Sequence, residues 1–194
     1  MRSVLDVYAR LHAWERENFH PHLPHRIEHV QLITPEDQAR LKTLDVIASM
    51  QPIHATSDMF TADHYWGSRS ANAYAFNSLL RQGTQLIFGS DAPVESANPF
   101  LGLHAALTRR RVSGEPGKDG WYPEQRISLS QALEAYTISP ARSCGLGDSL
   151  GRIAVGYRAD LIVLPRNPFQ MDPHDLWQLA PDMTLIDGRV VFQR

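Results

Sequence analysis

Leu86-Ile87-Phe88-Gly89-Ser90-Asp91-Ala92 is the stretch that decides how this chain is read. Three apolar residues make a short buried strand, Gly89 and Ser90 end it, and Asp91 lands at its carboxyl tip. Ligands and reacting groups of parallel α/β sheets gather at such tips. At the end of an apolar strand, Asp91 is expected to be partly desolvated, where a charge couples most strongly to its neighbours.

Upstream of that strand, a helix is expected over residues 71–81, ended by Gly83, and a long loop over residues 53–68. Val46-Ile47-Ala48-Ser49-Met50 reads as a second buried strand, stopped by Pro52, which brings no N–H to a ladder. Thr34-Pro35-Glu36-Asp37 has the make-up of a helix start: a hydroxyl cap, proline in the first turn, then carboxylates. Residues 27–32 read as a first strand with His29 near its tip. Val4, Leu5, Tyr8, Leu11 and Trp14 have the spacing of an amphipathic helix over residues 2–18. His20-Pro21-His22-Leu23-Pro24-His25 breaks that helix; its interleaved prolines make it read as a solvated linker rather than a metal cluster.

Downstream, helices are expected over residues 99–112 and 128–139, with the turn-rich Ser113-Gly114-Glu115-Pro116-Gly117-Lys118-Asp119-Gly120 between them. From Gly151 the pattern changes to short strands at residues 152–155, 161–164, 183–186 and 189–192, and Asp187-Gly188 suits a type I′ hairpin. Strands alternating with helices, the strands nearly continuous in apolar residues, define an α/β class with a parallel sheet covered on both faces. The organisation expected is an α/β part over residues 1–150 and a small all-β part over residues 151–194.

The 194 residues suffice for one or two compact domains. With 19 basic against 21 acidic residues there is no field to attract a polyanion, so no nucleic-acid partner is expected. Arg109-Arg110-Arg111 reads as a solvated helix end, where cations meet the negative end of the dipole. No run approaches the roughly 18 apolar residues of a membrane span, so no membrane partner is expected. Residues 1–10 lack the apolar core and cleavage site of a secretory signal, which makes cytoplasmic the expected location. Cys144, the one cysteine, excludes an internal disulfide and reads as a packing residue.

Each of the three strand tips carries polar groups: His29 with Glu28 and Gln31; Gln51, His54 and Asp58; and Asp91. An imidazole and a carboxylate converging at one mouth suit a first-row divalent metal such as zinc, with Asp91 as the base that takes a proton from water. His54 has three open readings: metal ligand, substrate-binding group or hydrogen-bonded loop residue. Trp66 and Arg69, within the long loop, either line a substrate pocket or pack.

Arg26-Ile27-Glu28-His29-Val30-Gln31, Gly89-Ser90-Asp91-Ala92-Pro93-Val94 and the block from Leu150 to Leu164 together resemble the metal-dependent amidohydrolase superfamily. More narrowly they resemble its amidohydrolase-3 branch, which includes N-substituted formamide deformylases and other amide and imide hydrolases. Thr137-Ile138-Ser139-Pro140-Ala141-Arg142 is similar to the helix that precedes the return to the sandwich in that branch. The resemblance implies that residues 1–150 are the C-terminal part of a TIM-like (β/α)8 barrel, about three βα units. Residues 151–194 would be the C-terminal share of a β-sandwich. It implies one or two divalent metals, zinc foremost, and a small-molecule amide or imide substrate. Carried over residue by residue, His29 is the sixth-strand metal ligand, Asp91 the eighth-strand ligand and catalytic group, and His54 a seventh-strand residue facing substrate. Arg69 and Trp66 stand beside it as candidate substrate-binding residues.

The sequence departs from the branch in two places. No His-x-His pair follows an N-terminal strand, and the fifth-strand histidine is missing; His20-Pro21-His22 has the letters but follows a helix. The expectation is therefore a truncated hydrolase, inactive alone. The alternative is a non-catalytic fragment that forms a homodimer through open sheet edges or pairs with a separately encoded N-terminal half.

Overall fold

The computed structural model describes residues 1–19 and 23–194, so His20, Pro21 and His22 of the expected linker lie outside the described residues. The chain opens with helix α1 (Arg2–Glu17), then strand β1 (Arg26–Glu28), helix α2 (Pro35–Thr43) and strand β2 (Ile47–Met50). Helix α3 (Pro52–Trp66), a 3-10 turn (Gly67–Asn72), helix α4 (Phe76–Arg81) and strand β3 (Leu86–Phe88) follow. The strands pair in parallel in the order β1-β2-β3. Glu28 lies opposite Ser49, and Ser49 opposite Ile87, so the three carboxyl ends are level. Every residue of β2 and β3 is buried, which is why both read as nearly continuous apolar runs rather than alternating ones.

Three local readings change. Residues 53–68 are not a loop but α3 and its continuation, because Pro52 occupies the first helical turn, where its missing N–H is no loss. The helix expected over residues 71–81 shrinks to α4. The first strand ends at Glu28, because His29 (φ 70°) and Val30 (φ 41°) turn into the left-handed region. The Thr34-Pro35 start holds in its proline and first-turn carboxylates, but the Thr34 hydroxyl donates to Asp37 Oδ2 (3.3 Å) and caps no backbone N–H. Its Asp37 receives Arg2 Nε at 3.0 Å and Arg40 Nη1 at 3.1 Å, tying α1 to α2. Burial alone would raise the Asp37 carboxyl, yet the hydrogen bonds from Arg40 and Arg2 hold it below its ordinary value.

Helix α5 (Pro99–Thr108) is capped by the Asn98 side chain, which accepts from Phe100 N. It stops short of residue 112 because Arg109 adopts a left-handed backbone (φ 57°). Arg109 is not a solvated helix end. It is fully buried, donates from Nε to Trp121 O (2.9 Å) and from Nη1 to Tyr74 O (3.1 Å), and lies over the rings of Trp121 and Phe76. That burial pulls its pKa down to about 9.

The helix expected over residues 128–139 divides at Thr137 into α6 (Leu129–Tyr136), opened by a Ser128–Gln131 capping box, and α7 (Ile138–Ser143). Cys144, just beyond, is exposed and not a packing residue.

Strands β4 (Leu161–Val163), β5 (Met183–Ile186) and β6 (Arg189–Gln193) form an antiparallel sheet in that order. Asp187 (φ 50°) and Gly188 (φ 75°) both take positive φ, as a type I′ hairpin needs. Residues 152–155 do not form a strand, and Ile153 and Val155 are exposed. Leu176 and Leu179, beyond residue 150, enter the same buried core as Phe100 and Leu103 of α5. By contrast β6 is exposed along its whole length, with Val190, Val191 and Phe192 open to solvent. Among the described residues no helix is long and apolar enough to cross a membrane.

Candidate metal centre

The level carboxyl ends of β1, β2 and β3 fix the site. His29 follows β1 directly, Gln51 and the first turn of α3 follow β2, and Asp91 follows β3 across Gly89 and Ser90. His29, His54 and Asp91 each bring one ligand atom to within 4.8 Å of the other two. The rings of His29 and His54 stack, 5.9 Å between centroids and 17° between planes.

His29 (φ 70°) and Asp91 (φ 60°) both hold left-handed backbones, which swing their side chains off the sheet direction. For residues other than glycine this conformation is uncommon and carries strain of order 1–3 kcal/mol.

The imidazole of His29 is oriented from behind. Its Nδ1 lies 3.0 Å from Oε1 of the buried Gln51. A carbonyl oxygen only accepts, so Nδ1 carries the proton and Nε2 keeps its lone pair for a ligand. His54 is buried, and its Nε2 has no hydrogen-bond partner among the described residues. Asp91 is more open than its strand-end position implied, its side chain 38% exposed, with Oδ2 3.9 Å from His54 Nε2.

Two imidazoles and a carboxylate are a donor set suited to a divalent first-row ion. Two ligands on one ion at about 2.1 Å are at most about 4.2 Å apart, and the His54–Asp91 span falls inside that limit. The buried, unpartnered nitrogen is the observation that tests the fit, and it fits.

A second layer stands beside the centre. Asp58, one turn along α3 from His54, accepts a hydrogen bond from the buried Tyr74 hydroxyl, and Gln31 Nε2 donates to that hydroxyl at 3.1 Å. Burial, then the hydrogen bond to Asp58, pushes the Tyr74 phenol well above its usual range. The sequence puts Gln31, Gln51 and Asp58 near the tips but marks neither Tyr74 nor the Gln51–His29 contact. Tyr74 lies in an irregular stretch with φ 48°, and no pattern marks such a position.

The other two expected site residues are elsewhere. Trp66 ends α3, about 18 Å along the axis from His54 at 1.5 Å per residue, and packs against the core. Arg69 donates to Trp66 O (3.4 Å) and borders a different hollow with Leu32 and Asp37. α3 thus carries Trp66 away from the strand tips, and Arg69 lies in the 3-10 turn beyond it.

With that geometry in place, the kinship of the chain is consistent with it. Residues 1–192 match the model of the Amidohydrolase family, and the chain belongs to that family. It is 35% identical over 166 residues to the protein LONG AFTER FAR-RED 3 of Arabidopsis thaliana, covering 84% of this chain and 27% of that one. It is 26% identical over 193 residues to the N-substituted formamide deformylase of Arthrobacter pascens, covering 98% of this chain and 34% of the enzyme. An uncharacterized metal-dependent hydrolase from Pyrococcus horikoshii superposes with a TM-score of 0.68 at 31% identity, over 77% of this chain and 30% of that structure. The chain thus spans about a third of the length of the curated relatives it matches.

Proposed function

We propose that this chain supplies one side of a metal-dependent hydrolase centre that cleaves a non-peptide carbon–nitrogen bond of the amide, imide or formamide type. The observation that carries this reading is the convergence of His29, His54 and Asp91 at the level carboxyl ends of three parallel strands. A divalent metal, zinc by its donor preferences, supplies Lewis-acid activation of water and of the substrate carbonyl.

The residues of the chain do the rest. His29, its tautomer fixed by Gln51, and Asp91 hold the ion, and His54 either completes that face or binds the substrate carbonyl oxygen. The Asp91 carboxylate, open enough to meet water, takes a proton as the carbonyl carbon is attacked. It then returns that proton to the departing nitrogen.

In this proposal β1–β3 are part of a β/α barrel and β4–β6 part of a sandwich. Among the described residues the outer edges of β1 and β3 pair with no named strand. Three strands leave a barrel open, so further strands and ligands come from polypeptide outside these residues, in cis or from a partner chain. The 194 residues alone then bind metal weakly at this centre and turn over no substrate. A homodimer is the second reading, favoured by the exposed apolar face of β6.

The test is hydrolysis of a panel of N-substituted formamides and cyclic imides by the protein isolated from its native source, compared with its Asp91→Asn variant. Loss of turnover in the variant is expected; equal turnover in both overturns the reading. Full turnover by the isolated, monomeric 194 residues overturns the requirement for further polypeptide.

A further inference from the structure

A second cluster of metal-ligating side chains sits at the other end of the parallel sheet. His12 and Glu15 lie three residues apart on α1, and His25 immediately precedes β1. Ligand atoms of the three lie within 4.8 Å of one another. The His25 carbonyl accepts from Ile47 N (2.8 Å), which fixes it at the amino end of the sheet. His29 is four residues further along, about 13 Å away at 3.3 Å per residue, so the two clusters share no ligand.

The arrangement is held before any ion arrives. Tyr8, one turn before His12 on α1, donates its hydroxyl to Arg26 O (2.9 Å) and sets the helix against the start of β1. The rings of His12 and His25 stack at 5.0 Å with 25° between planes. Glu15 is buried, with Oε1 2.9 Å from His25 Nε2 and Oε2 3.9 Å from His12 Nε2. Ligand atoms bound tetrahedrally at about 2.1 Å are about 3.4 Å apart, a value these two distances bracket. Two imidazoles and one carboxylate on a rigid scaffold are a zinc-type donor set.

We propose that His12, Glu15 and His25 form a second divalent-metal site that pins α1 to the amino end of the parallel sheet. Its role is structural, since it lies at the end of the sheet away from the strand tips.

The experiment is a cobalt(II) titration of the unaltered chain, followed by paramagnetic shifts of assigned histidine ring protons. Shifts at both His12 and His25 are expected, with or without shifts at His29 and His54. Saturating cobalt that leaves His12 and His25 unshifted overturns the proposal, whatever happens at the other centre. In zinc titrations, His25→Gln is expected to lose one equivalent that His29→Gln retains. Unchanged stoichiometry in folded His25→Gln also overturns it, and should that variant misfold, the cobalt measurement decides.

Discussion

His54 Nε2 stands 3.9 Å from Asp91 Oδ2, between the first turn of α3 and the loop after β3. That is too long for a hydrogen bond and inside the span of two ligands on one ion. Replacing Asp91 with Asn removes the charge while keeping the shape. Zinc affinity, measured by competition with a chromophoric chelator, is expected to fall at least about tenfold. Far-UV circular dichroism should be unchanged, because Asp91 is exposed.

Gln51 is the orienting group behind His29. Gln51→Leu removes the acceptor and leaves the imidazole free to rotate and change tautomer. Metal affinity is expected to drop by about 10- to 100-fold. Gln51→Glu keeps an acceptor and adds charge, so the same titration should show affinity restored to at least that of the parent.

Arg109 tests the scaffold rather than the chemistry. Arg109→Met keeps much of the volume but leaves the Trp121 carbonyl without its donor and the Tyr74 carbonyl with Phe76 N alone. A loss of about 2–4 kcal/mol in urea unfolding is expected. Arg109→Lys should recover little, since a point charge cannot span both carbonyls as the planar guanidinium does.

His104 gives the fold a dependence on pH. Burial, then the nearby His174 and Arg110, lower its pKa from 6.5 to about 4. Within that interval the unfolded chain binds a proton that the folded chain refuses. This contribution is therefore intact above pH 6.5 and lost as the pH falls towards 4. Urea midpoints at pH 7 and pH 4.5 should differ less for His104→Gln than for the parent.

The parts of the molecule legible in sequence were those set by local rules. The runs at β2 and β3, the Thr34-Pro35 helix start and the Asp187-Gly188 hairpin each follow from residues adjacent in the chain. What escaped depends on folding. Pro52 is the same residue whether it ends a strand or begins a helix, and only the helix beyond it decides; His54 changes from loop residue to first-turn residue accordingly. Arg109 looks like any surface arginine until Trp121 and Tyr74 close over it. His25 read as a solvated linker residue because its partner Glu15 lies ten positions back, beyond reach of local pattern.

The left-handed backbones at His29 and Asp91 set stability against purpose. Glycine at either position would relieve the torsional cost and firm up the fold while discarding a ligand. Selection of this chain for heat resistance alone would therefore drift toward sturdier, inert variants at these two positions.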